Sequence, residues 1–558
     1  MYSLLKNLNK NKMLLIMLFL VNFLVFSYIS TNYNSARSPD FIYYTDYISY
    51  FFNNLNLTGR EQGLIYFFLV SLTIKFFDID FGAFSYELSI SNSIIITNYL
   101  LFSIGLIGLF KLLQNRKFSS KNILFSFLVI SLFPQSINMI LTMKPEIIAF
   151  STLPWSIFLI LKYLENSEIK YLYVALFPNL ILLTTKATII GSVGLIYLFI
   201  LLHNLDKFKN INFYKFLTIS LILISLLFYE NAIANGKNIL EHTNTKPEYQ
   251  DKARLAFLFN LNLRELITNP FRHNHANSLL GILMLDTFGD YFQNYALHDN
   301  SLFAFSRKNI PRIFVISHWT QFLSIILTIS YYIATIYYFR KNKTNNIFYV
   351  LHFFGIIILL LQAFGFPQIN FNANMADTFK THYYSFLLVI SFTFLITSLI
   401  SQFPKIKLGV LFLAIFTFFN LYGLNKIENK NYLQLISLRS NISATCSFNS
   451  IFLDDLDSES CNSAVIKICK TTPHITNTNF LIQKELSNLY LNNYYPSQVL
   501  YKENTEVVPR TVDECIKYVK KGYGYLTYLQ NPIRVPIVNL IFYILSIASL
   551  GYAFFIKE

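Results

Sequence analysis

The chain has 558 residues, of which 54% are apolar and only 13% charged, and its formal net charge is +15. The apolar residues arrive in runs of about 17 to 25, the length that crosses a bilayer core of ~30 Å, which excludes an ordinary soluble enzyme. The Lys and Arg excess sits in short clusters between those runs rather than on one stripe, so it marks orientation and excludes a nucleic-acid footprint.

The first run, Met13 to Ser30, follows Lys6, Lys10 and Lys12, which the positive-inside rule holds in the cytosol. Its length favours a retained anchor over a cleaved signal peptide. The next full span, Ile94 to Leu113, runs into Arg116, Lys117 and Lys121, so residues 31–93 form a first outer loop. Gly63 to Phe77 is too short to cross and contains Lys75. Counting it as a span would also put Asp78, Asp80 and Glu87 on the cytosolic side with no cation. It reads as an interfacial or re-entrant helix. Phe41, Tyr44, Ile48, Phe51 and Leu55 recur at helical spacing, with Ser38 as N-cap and Pro39 at the first helical position. The first outer loop therefore holds two juxtamembrane helices.

Spans follow at Asn122 to Ile140 and Glu146 to Leu164, joined by the outer turn Thr142-Met143-Lys144-Pro145-Glu146. Tyr171 to His203 is too long for one helix and is split by Thr184-Thr185-Lys186 into two short spans that turn outside. The rest are Phe213 to Tyr229, Ile313 to Phe339, Ile347 to Gly365, Tyr383 to Phe403, Leu408 to Leu424 and Pro536 to Phe555. The fold class is an all-α polytopic membrane protein of about twelve transmembrane helices. Both termini are then cytosolic, as are Lys207, Lys209 and Lys215, Arg340, Lys341 and Lys343, Lys405 and Lys407, and Lys557.

Three parts result: a transmembrane module over 1–424 with outer loops 31–93 and 230–312, a periplasmic soluble domain over 425–533, and a C-terminal helix over 534–558. All four cysteines, Cys446, Cys461, Cys469 and Cys515, fall in 425–533. An even count confined to one outer module predicts two disulfides in an oxidising compartment, with three pairings open.

No phosphate-cradling Gly-rich loop, HExxH motif or nucleophile elbow is present. What remains is a set of ionisable residues at the outer ends of spans, where they are costly and so become candidates for function. Asp40 leads, although an Asp in a first turn also complements the helix dipole. Asp46 comes second. The candidate cations are Lys380, His382, Lys144, Lys186 and Arg60, each of which could also contact lipid headgroups. His273 and His275 alternate as zinc ligands can, but no third ligand lies near them, so no metal site is predicted.

The order of these parts resembles the GT-C superfamily of integral-membrane glycosyltransferases. Members have a cytosolic N-terminus, one span, a long outer loop with two juxtamembrane helices, and a second long outer loop after span seven. Asp40-Phe41-Ile42-Tyr43-Tyr44 resembles the acidic-x-x-x-Tyr setting of that family's catalytic carboxylate. Glu61-Gln62-Gly63-Leu64-Ile65-Tyr66 stands where a His-Pro-Pro-like motif often opens the second helix, and that departure leaves the subfamily open. Asn269 to His275 and Asp286 to Phe292 resemble acceptor-side elements.

The resemblance implies transfer of a sugar from a polyprenyl-phosphate donor to a glycan, lipid or protein at the periplasmic face of a bacterial inner membrane. Asp40, with Asp46 as second choice, would be the general base of an inverting displacement. Lys380, His382, Lys144, Lys186 and Arg60 would hold the donor phosphate, and Glu61, Glu146, Arg272 and Asp290 would lie on the acceptor side. The implied partners are the lipid-linked donor, the acceptor and membrane lipids, with no nucleic acid. No cofactor is called for, and the family leaves a divalent cation open. Two other classes stand beside it. An O-antigen-type polysaccharide polymerase or ligase would rest on loop cations such as Arg272. A lipid or polysaccharide flippase would be expected to show two-half symmetry and charges near the midplane, which this sequence lacks.

Overall fold

The computed structural model describes residues 20, 22–25, 57–58, 64–76, 86–235, 255–268, 275, 278–289, 310–342, 345–364, 379–418, 532–533 and 537–556. Among these the fold is helical, apart from a two-residue antiparallel ladder of β1 (Leu57–Thr58) with β2 (Pro532–Ile533). The principal helices are α1 (Leu64–Phe76), α2 (Tyr86–Asn115), α3 (Ser120–Ser131), α4 (Pro134–Leu141), α5 (Glu146–Asn166), α6 (Lys170–Leu183) and α7 (Ala187–Leu202). They continue with α8 (Ile211–Asn235), α9 (Leu279–Asp286), α10 (Ile310–Lys341), α11 (Leu351–Ala363), α12 (Ser385–Gln402), α13 (Lys407–Phe418) and α14 (Ile537–Phe555).

Six helical segments are long and apolar enough to cross a membrane: Ser93–Asn115, Glu146–Asn166, Ile211–Glu230, Phe322–Lys341, Thr381–Gln402 and Ile537–Phe555. Each coincides with a span expected from the sequence. The pair α3 and α4 makes a seventh if counted as one span, bent by 64°. Pro134 at the start of α4 has no N–H to continue the α3 ladder, and Ser131 turns its hydroxyl back onto the Phe127 carbonyl. The run expected to split at Thr184-Thr185-Lys186 does so, as α6 ends at Leu183 and α7 starts at Ala187. Both halves, like α11, are shorter apolar helices. The helix expected near Gly63 to Phe77 is the 13-residue α1, too short to cross upright. The expected helix over Phe41 to Leu55 and the cysteine-bearing domain lie outside the described residues.

Burial separates centre from rim. The crossing windows of α5 and the Thr381–Gln402 segment are 89% buried, whereas that of Ile211–Glu230 is 11% buried. The first two form the axis, and α8 faces outward with Leu221, Ile222 and Leu226 exposed. Exposed leucine and isoleucine on a helix of this length suit a lipid-facing surface. Along the axis, α2 runs beside α5 through Gly105 and Gly108. A Cβ on Gly105 would meet Phe150 Cδ1 at 2.5 Å, and one on Gly108 would meet Trp155 at 2.6 Å. Small residues one turn apart let the backbones approach, as in other membrane helix pairs. Trp155 Nε1 fixes the pairing by donating to the Ile104 carbonyl at 2.9 Å.

The two ends of the bundle differ. At one end lie the residues next to the clusters read as cytosolic: Lys407 donates to Asn122 at 2.8 Å, Tyr163 to the Lys207 carbonyl at 2.9 Å, and Lys341 to Gln402 at 3.3 Å. The C-terminal end of α14 is here too, its Ile556 carbonyl accepting from Lys111. At the other end, Glu230 accepts from the Val538 amide at 2.7 Å. Helix polarity along the chain brings the starts of α5 and α12 and the break between α6 and α7 to this second end.

Candidate functional site

Three turns at that end build the site. The first is the α4–α5 turn, from which Lys144 and Glu146 project. Its backbone is held by Asn98 in α2, which is fully buried and donates to the carbonyls of Ile140 at 2.9 Å and Thr142 at 2.8 Å. Asn98 in turn accepts from the Tyr66 hydroxyl of α1 at 2.9 Å. The second turn is the α6–α7 break. Thr184 and Thr185 turn their hydroxyls back onto the Ile181 and Leu182 carbonyls, ending α6, and Lys186 in extended conformation caps α7. The third is the 3-10 turn Thr381–Tyr384, which follows Lys380 and leads into α12.

These turns bring together residues that are far apart in the chain. Lys186 Nζ donates to Glu146 Oε1 at 2.7 Å, and His382 Nε2 lies 3.8 Å from the same oxygen. The Tyr383 ring lies beneath two cations, with Lys186 Nζ 4.8 Å and Lys380 Nζ 6.0 Å from its centroid. Thr381 donates to Asp286 Oδ2 at 2.7 Å, and Gln135 in α4 donates to the Asp286 carbonyl, so the end of α9 is tied into the same cluster. Lys144, Lys186, Lys380, Glu146, His382 and Asp286 are all buried.

Three lysines and an imidazole therefore gather near Glu146 in a water-poor setting, with Asp286 tied to the adjoining Thr381. Burial pushes the Lys144 ammonium well below the usual lysine range, Lys186 and Lys380 push the same way, and Glu146 opposes them. Glu146 Oε2 is buried with no hydrogen-bond partner among the described residues. An electropositive, partly dry cluster of this kind favours a phosphate or a similar oxyanion.

Four residues read from the sequence as donor-phosphate ligands, Lys144, Lys186, Lys380 and His382, thus lie together, and Glu146 lies among them. Asp40, Asp46, Arg60, Glu61, Arg272 and Asp290 lie outside the described residues, as do Cys446, Cys461, Cys469 and Cys515. Asp286, four positions before Asp290 in the same motif, is the acidic residue that reaches the cluster. Asn98, Gln135, Thr381 and Tyr383 were not singled out from the sequence. The only signal for Asn98 and Gln135 is an amide inside an apolar run, which must find a partner when buried. Among the described residues, no three His, Cys, Asp or Glu side chains gather as a metal site. No family model, curated protein or solved structure matches the chain.

Proposed function

We propose that the protein is a multi-pass membrane glycosyltransferase of GT-C type that takes its sugar from a polyprenyl-phosphate donor on the periplasmic side of a bacterial inner membrane. The observation that carries this reading is the buried group of Lys144, Lys186 and Lys380 around Glu146 and His382. Its members come from three turns at the same end of the bundle, and cations so placed stabilise a departing lipid phosphate. The remaining spans of the expected set of about twelve, and a disulfide-bonded outer domain, belong to this reading.

In the reaction, the acceptor hydroxyl attacks the anomeric carbon and forms the new C–O bond. The bond from that carbon to the phosphate oxygen breaks, and its electron pair leaves with the polyprenyl phosphate. Asp40 takes the hydroxyl proton, and the lysines and His382 bind the phosphate as its charge grows. A phosphate leaving group needs no acid to protonate it, so one base suffices. Glu146, through its second oxygen, has an acceptor position to offer a sugar hydroxyl.

The test is reconstitution in vesicles with candidate polyprenyl-phosphate sugars. Asp40→Asn should abolish transfer while leaving donor binding intact, and Lys380→Ala should weaken donor binding by about tenfold or more. Full transfer by Asp40→Asn together with unchanged donor affinity in Lys380→Ala would remove the proposal.

A further inference from the structure

At the other end of the bundle a cavity of about 340 Å³ opens between α2, α5, α7 and α11. That volume falls in the range of roughly 300–1,000 Å³ typical of sites that hold small molecules. Its deeper wall is aliphatic, with Ile157, Leu161, Ile196, Ile200 and Leu351 all buried. Its rim is polar, formed by Arg116, Glu165, His203, Asn204 and Asn346.

The rim carries a guanidinium with hydrogen-bonding capacity to spare. The Glu165 carboxylate is already engaged, both oxygens accepting from Asn115 Nδ2 at 3.1 Å and one from Lys162 at 3.2 Å. Arg116 feels the Glu165 charge but makes no hydrogen-bonded pair with it. Its guanidinium lies 5.4 Å from the centre of the Phe348 ring, and its buried Nε has no hydrogen-bond partner among the described residues. Glu165 is thus shared with Lys162 behind the rim, which leaves the Arg116 guanidinium facing the cavity with donors to offer an anion. The vertical order matters as well. Arg116 directly follows the crossing segment Ser93–Asn115, and Glu165 lies in the last turn of Glu146–Asn166. With these segments in a bilayer, the rim sits at headgroup level and the aliphatic wall at acyl depth.

We propose that this cavity binds an anionic phospholipid, its phosphate on Arg116 and part of an acyl chain against Leu161 and Ile196. A free anion has no use for the aliphatic wall, and an uncharged chain has none for Arg116. The site is separate from the lysine cluster, and it rests on the membrane placement of the helices rather than on the transferase reading.

The experiment is native mass spectrometry of the purified full chain, titrated with phosphatidylglycerol, phosphatidylcholine or inorganic phosphate. The expected result is retention of phosphatidylglycerol about tenfold above phosphatidylcholine, in line with a charge-assisted contact. Arg116→Gln should erase that preference, Arg116→Lys should keep part of it, and Leu161→Trp should lower retention by filling the wall. Equal retention of the two lipids by the wild-type chain would overturn the proposal even if no variant folds. Displacement of phosphatidylglycerol by an equal concentration of inorganic phosphate would also overturn it, by making the site one for free anions. Neither outcome touches sugar transfer.

Discussion

Lys186 Nζ donates to Glu146 Oε1 at 2.7 Å, joining two segments 40 residues apart with side chains only 9% and 2% exposed. Removing one member of a buried pair strands the other charge, at a cost of about 3–5 kcal/mol, whereas removing both together costs far less. Lys186→Met and Glu146→Gln should each lower the unfolding midpoint in detergent, and the Lys186→Met/Glu146→Leu double variant should recover most of it. Donor binding should stay lost in the double variant. If it returned along with stability, the pair would serve only to hold the helices.

Lys144 leads to a proton-linkage experiment. Its pKa in the folded chain is depressed, first by burial and then by Lys186 and Lys380. A bound phosphate favours the ammonium and raises that pKa, so the complex holds more protons than the free protein. The donor's phosphodiester keeps its single charge across this range, so affinity should fall as pH rises from the depressed value towards the raised one. Calorimetry in buffers of different ionisation enthalpy should show proton uptake on binding, and Lys144→Met should remove it.

Asn98 satisfies two backbone carbonyls and one hydroxyl at once. Asn98→Leu leaves all three buried without that partner, at about 1–3 kcal/mol for each group. Tyr66→Phe removes the phenol's bonds to Asn98 and to the Lys144 backbone but leaves both carbonyls paired, and should cost about 1–2 kcal/mol. Chemical denaturation ranks the two. Folded Asn98→Leu should also bind donor more weakly, because the turn presenting Lys144 has lost its backbone support.

Gly355 in α11 faces the 3-10 turn, and a Cβ there would lie 2.3 Å from Tyr384 Cβ. Gly355→Ala should cost about 1–3 kcal/mol by overpacking and shift the turn that carries Lys380 and His382. Gly409 has nothing within 4 Å of an added Cβ, so Gly409→Ala in α13 should gain up to about 1 kcal/mol of helix propensity. A thermal-shift comparison that found the two equal would contradict the packing described for α11.

Much of the helical layout was legible because apolar runs and cation clusters are local signals. The break at Thr184-Thr185-Lys186 was readable because hydroxyls followed by a lysine cannot continue an apolar run. Lys144, Lys186, Lys380, His382 and Glu146 could be picked out singly, since each is an ionisable group beside a span. Their convergence could not be read. Thr381 meets Asp286 across 95 residues, and Asn98 meets Thr142 across 44. Pairings at such separations follow from how helices pack, which residue spacing within one helix does not encode. Asp286 reaches the cluster for the same reason, through a bond to Thr381 that spacing within α9 does not foretell.

The small ladder between Leu57–Thr58 and Pro532–Ile533 bears on biogenesis. The strand partner of Leu57 is made hundreds of residues later, and α14 after it packs against α6 and hydrogen-bonds back to Lys111. The early helices must therefore wait in the bilayer with one flank uncovered until α14 has been made. A chain cut short before residue 532 would be left with that flank open to lipid and the Leu57–Thr58 strand without a mate.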